Sequence, residues 1–450
     1  MPEKRDLTRY QQGVIRRYYQ NQDQLREQSL ADLVTDLYLA TTDKKREALW
    51  KRARTLLEGL ADGVGSVDLP AGSRLSGADV NAFQLDSFWD SFLYGDDNVG
   101  LGNIGTVRLR DGTLFRSQVR GNDVGDVDVS GGVIDASQIS ALSDVGTITA
   151  RAFANSTLQG STNELAQSLI LVGQDLGRIT VTEDFADTAV DVLGSITQGV
   201  TARTITRATF NVDNEFRGLT IAQDIRASNF IVGQIAAISV GRSIQSSEIT
   251  ASGRLSATVG DRIVNTVFEV TGPDGRIESV TAATLISGAF RSAGTIGTIA
   301  VTAGDLVASV TTTGVRGDVA SLSAGRDLDV SANISGSVGS LVAGRDIGRA
   351  SDPGVIVVRG DLGSAAAPAG QLHADLRVGG RITAVTVGGA SNKPGADFVG
   401  RGSIIAFGPI AAVVINGDFD GDITSYTGGI ASVTINQGSL LPGNTISAFD

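Results

Sequence analysis

The chain has no cysteine, a single histidine (His373), eight prolines and only 5% aromatic residues. Without cysteine there is no disulfide, no thiolate nucleophile and no Cys-based zinc or iron site. One histidine excludes His-rich metal sites and chemistry that needs several imidazoles. A net charge of -12 lacks the positive footprint of a general nucleic-acid binder, so no nucleic-acid partner is expected. No apolar run is long enough to span a bilayer, and Met1 is followed by charged residues instead of the apolar core of a secretory leader. Cytoplasmic residence is the default expectation, with the cell surface or secretion as the alternative if another export route operates.

What the chain has in excess is glycine, 57 residues in 450, well above the usual ~7%. The stretch from Ile296 to Leu362 shows why: IGTIAVTAGDL, VASLSAGRDL and VGSLVAGRDI follow one another at intervals of about 20 residues, the period of a solenoid. In the first copy Ile299 and Val301 flank Ala300, the period-2 alternation of a strand with one buried face, and Gly304-Asp305 supplies a turn. One such unit cannot bury its own apolar face, so copies must stack and share a core. Copies running in the same direction make parallel ladders. The expected fold is mainly β: a long right-handed parallel β-helix of about 20 residues per rung, three faces and roughly 16 to 17 rungs.

Recognisable copies run from Ile104 to Ile430, so the solenoid is assigned to residues 100–450, with bulging loops expected around 150–175 and 385–410. Residues 1–62 read as a small three-helix module, from apolar stripes such as Leu7, Tyr10, Val14 and Tyr18. Its basic residues, Lys44 to Arg54, are interleaved with acids and read as a solvated face. Residues 63–99 read as a linker followed by a capping segment. Leu85, Phe88, Trp89, Phe92 and Leu93 recur at helical spacing, which predicts a short amphipathic helix over 84–94 that plugs the exposed end of the first rung.

The chemistry-bearing candidates are the repeat turns. Gly325-Arg326-Asp327-Leu328 and Gly344-Arg345-Asp346-Ile347 should stack, with Asp305, Asp318, Asp361 and Asp418 at related corners. A column of bare carboxylates would repel itself, whereas Arg beside Asp lets each rung pair with its neighbour. The expected role is a self-neutralising ladder. The sharper reading is a cation site at Asp305, Asp318, Asp327, Asp346 and Asp361, since oxygen-rich turns suit calcium, but the Gly-Gly-x-Gly-x-Asp calcium repeat is absent. No other cofactor is implied. Two Arg-Gly-Asp triplets, Arg316 to Asp318 and Arg359 to Asp361, fall inside the repeat's turns instead of on protruding loops. Thr-x-Thr pairs at Thr147/Thr149, Thr180/Thr182 and Thr204/Thr206 are too interrupted for an ice-binding ladder. Acid pairs of the kind that cleave polysaccharides occur at Asp126/Asp128 and Asp420/Asp422 without an evident cationic partner, and His373 reads as a surface residue, so no catalytic residue is assigned.

Units such as VGSLVAGRDI and IASVTINQGSL resemble the Gly-rich parallel β-helix repeats of large bacterial surface and secreted proteins, particularly those of planctomycetes. The N-terminal LTRYQQGVIRRYY and LADLVTDLYLATTDKKREALWKR are similar to a helical module of small uncharacterised planctomycete proteins. The resemblance implies a structural or adhesive, non-enzymatic scaffold. Separately, the C-terminal rung IASVTINQGSLLPGNTISAFD carries no evident polar cap, so the expected partner is a second copy stacked on that end near Ile446, or else a protein or glycan surface. The alternative is a polysaccharide-binding or polysaccharide-cleaving β-helix.

Overall fold

The computed structural model describes residues 103–109, 113–115, 117–154, 168–349, 351, 354–388 and 402–449, and gives the backbone alone for four strands between 74 and 95. The three-helix module assigned to 1–62 lies outside the described residues, as does most of each expected loop (155–167 and 389–401). Among the described residues there is no helix, and the chain winds as a parallel β-solenoid of about 15 turns, each of ~20 residues. It divides into two compact units, 1–215 and 216–450.

The first unit corrects the expected cap. Where 84–94 is described it is not helical: Val80–Leu85, Phe88–Trp89 and Phe92–Gly95 are strands. Each pairs in parallel with the next lap, at Ile104–Leu109, Leu114–Phe115 and Gln118–Gly121 respectively. Arg74–Gly77 pairs in turn with Phe92–Gly95. Leu85, Phe88, Trp89, Phe92 and Leu93 therefore belong to an early lap of the coil, which starts before residue 100. The physical reason is legible in QLDSFWDSFLYG. Two Asp-Ser pairs are turn signals, and they cut the aromatic run into short β-prone pieces whose spacing mimics a helical stripe.

Beyond these strands the laps of the first unit carry three strands, or two where a long strand such as Val127–Asp135 or Val145–Ala154 runs through a corner. One ladder joins Val145–Ala154, Leu176–Val181 and Ile196–Ala202. A second joins Gln138–Ala141, Ser168–Val172, Thr188–Val192 and Thr209–Phe216. A short third joins Asp184–Ala186 to Thr204–Thr206. Phenylalanines are the large fillers of the core: Phe153 and its register neighbour Phe185 lie 4.8 Å apart between ring centres, and Phe210, from the adjoining ladder, lies 5.3 Å from Phe185.

In the second unit one strand often runs through the corner between two of the three faces, as at the left-handed Asn265. Ser243–Gln245 and Glu248–Ala251 both pair with the single strand Arg262–Val270, which continues onto Leu285–Ser292 and Asp305–Thr312. The remaining face stacks Thr295–Val301, Val319–Ala324, Val338–Ala343, Leu362–Ala367, Ile382–Val387 and Ile410–Ile415 in register. Val338, Leu341 and Ala343 point inward and are buried, while Gly339, Ser340 and Val342 point out. Full burial of each aliphatic or Phe side chain contributes roughly 1.5–3 kcal/mol. Glycine is needed at the corner because the laps approach closely: a Cβ on Gly344 would lie 2.0 Å from the carbonyl oxygen of Gly325.

Candidate functional site: the charged corners

A chain that turns a corner breaks its ladder, leaving backbone N–H groups that must find another acceptor. The turn aspartates are that acceptor. Asp305 Oδ1 accepts from the N–H of Asp327 at 3.2 Å, Asp327 Oδ1 from Asp346 at 3.3 Å, and Asp346 Oδ1 from Gln371 at 2.8 Å. Asp318 and Asp361 stand on a different corner. Asp318 Oδ1 accepts from Ser337 N–H at 2.6 Å, Ser337 Oγ from Asp361 N–H at 3.0 Å, and Asp361 Oδ1 from Arg381 N–H at 2.7 Å. The five candidate residues thus form two columns, not one cluster. Asp418 does the same for Ser439 N–H at 2.7 Å, and in the first unit Asp123, Asp144 and Asp175 each accept from the following lap.

Arginine neutralises the first column, as the Arg-Asp turn sequence predicts. Arg345 grips Asp327 of the preceding lap with both arms of its guanidinium, Nε to Oδ1 at 2.7 Å and Nη2 to Oδ2. Arg345 Nε also lies 3.5 Å from Asp346, and Arg326 lies 3.5 Å from Asp305. Burial alone would raise the Asp327 carboxyl. The hydrogen bonds and charge of Arg345, with the Asp346 N–H and Arg326, outweigh it and hold the group below the usual carboxylate value. Among the described residues, no group of three or more His, Cys, Asp or Glu side chains could hold a metal ion.

The acid pairs are likewise tied into the coil. Asp126 Oδ1 accepts from Thr147 N–H at 2.8 Å. Asp128, which seemed to lack a cation, pairs with Arg108 at 3.2 Å, its register neighbour one lap earlier. Asp420 accepts from Asn444 Nδ2 at 3.0 Å, and Asp422 from both the N–H and the hydroxyl of Thr445 at 2.8 Å. The Thr rows are broken, with Thr149 between Asp128 and Thr180, and Thr147 beside Arg178.

His373 is not a surface residue. It is 8% exposed, between Leu372 and Ala374, with its N–H held by Ile347 O at 2.7 Å and its Nδ1 without a hydrogen-bond partner. Burial pushes its pKa below the ordinary value, against the opposing pull of Asp346 and Asp327.

Two features escape a reading by sequence pattern. The first is a buried hydroxyl at the corner of several laps, with Ala208 at the equivalent position after Arg207. Ser137, Thr188, Ser228, Ser247 and Thr266 each donate to the carbonyl two residues earlier, at 2.8, 2.8, 2.8, 2.9 and 3.1 Å. Each follows a residue with left-handed backbone: Ala136, Asp187, Ala227, Ser246 and Asn265. The available signal was a Ser or Thr recurring at near-20 spacing. The second is an exposed aromatic ridge. Phe407, Tyr426 and Phe449 follow equivalent strands on consecutive laps and are 61%, 47% and 53% exposed, with ring centres 5.8 and 6.0 Å apart.

No helix among the described residues is long and apolar enough to cross a membrane. No protein-family model, curated protein or solved structure matches the chain.

Proposed function

We propose that the protein is a non-catalytic structural or adhesive repeat scaffold of the kind its repeats resemble. The observation that carries this is the use made of the turn acids. All five candidate aspartates spend Oδ1 on a backbone N–H of the same or an adjacent corner column, so they act as clamps between laps. The reading includes a right-handed coil, as parallel crossovers favour, an N-terminal three-helix module, and self-association. Such clamps need no calcium, so millimolar calcium or EDTA leaves the melting temperature unchanged within a degree. The test is incubation with acidic polysaccharides. No new reducing ends are expected, and cleavage abolished by Asp128→Asn would overturn the reading.

One observation favours the glycan-binding alternative: the ridge of Phe407, Tyr426 and Phe449, whose regular spacing suits a linear polymer of flat, partly apolar units. Co-sedimentation with insoluble glycans tests it. Retention lost on Tyr426→Ala supports binding by the ridge, and equal recovery of both forms in the supernatant removes it.

A further inference from the structure

The sheet face formed by the six strands from Thr295–Val301 to Ile410–Ile415 is unlike the rest of the second unit. Between its buried positions, the outward positions from Gly297 to Val414 hold only Gly, Ala, Ser, Thr and Val. The register puts Ser321, Ser340 and Ser364 in one outward row and Ser323, Val342 and Ala366 in the next. Outward positions on the other faces carry charge, as at Arg291, Asp329 and Arg377. Charge returns at both margins: Asp305, Arg326 and Arg345 beyond the strand ends, and Asp318, Asp361 and Arg381 before the strand starts.

We infer that this face packs against the same face of a second copy, side by side. Three arguments select that occupant. Chains of net charge -12 repel, and this face brings two of them together without opposing like charges. A centre without charge inside a charged margin has the layout of a protein interface. Six strands ~4.8 Å apart and about five residues wide give roughly 500 Å² per copy, or roughly 1,000 Å² in all, the lower bound for a specific interface. Val342, 38% exposed between Ser323 and Ala366 of the adjoining laps, offers a side chain that stands above its small neighbours.

The inference rests on the scaffold reading and names its partner. Sedimentation of the full chain at up to about 100 µM, where even a micromolar interface is populated, should show a dimer. Val342→Glu, or Thr386→Glu if the first variant loses its strand circular dichroism, should weaken the dimer at least tenfold, while Val342→Ser retains it. A monomer throughout, or a dimer indifferent to both Glu variants, overturns the inference. So does a dimer lost instead on Ile446→Glu, which marks end-to-end stacking and leaves the scaffold reading standing. Failure of the scaffold reading itself would appear separately, as glycan cleavage.

Discussion

Asp327 and His373 sit beside the same corner and respond to burial in opposite ways. The Asp327 carboxyl is held below its ordinary value because Arg345, Arg326 and a backbone N–H outweigh burial. A depressed carboxyl contributes stability that is present above the unfolded pKa, near 3.9, and is lost as pH falls through the folded value. Asp327→Asn should therefore flatten the acid limb of the stability curve below about pH 4, while lowering stability at neutral pH. His373 is buried in its neutral form, with its pKa lowered. The unfolded imidazole takes up its proton first, so stability is full above about 6.5 and falls as pH drops from there toward the lower folded value. As the sole histidine, it owns that window. His373→Gln should abolish the slope of melting temperature between about pH 7 and 5, and a slope that survives would assign it elsewhere.

At the scale of the strand and corner, the repeat was plain in the sequence wherever spacing and alternation agreed, as in VASLSAGRDL and VGSLVAGRDI. Direction of pairing, the inward set and the Arg–Asp exchange between laps all followed. The cap over 84–94 was misread because apolar spacing outvoted its Asp-Ser turn signals. Asp128's partner was missed because the residue across the ladder is about a lap away in sequence. His373 was misplaced because burial at a corner depends on the laps around it. The hydroxyl corners stayed hidden because Ser and Thr there look like ordinary loop residues. Their weight is measurable. Ser247 Oγ donates to Gln245 O and accepts from Ser228 N–H at 3.2 Å. Ser247→Ala leaves the buried Ser228 N–H unpaired, while Gln245 O keeps the Ala227 N–H at 2.9 Å, and should cost about 1–3 kcal/mol in denaturant unfolding. At the preceding corner Ala227 has φ 49°, a conformation that costs a side chain about 1–2 kcal/mol. Ala227→Gly should therefore be neutral or stabilising, where most Ala→Gly changes in a strand destabilise.

For the molecule as a whole, the carboxylate clamps share one sense. Asp123, Asp144, Asp175, Asp305, Asp327, Asp346, Asp361 and Asp418 all accept from residues later in the chain. Each acceptor is thus made by the ribosome before the donor it awaits. Every fresh length of polypeptide therefore brings its donors to carboxylates that have already left the ribosome.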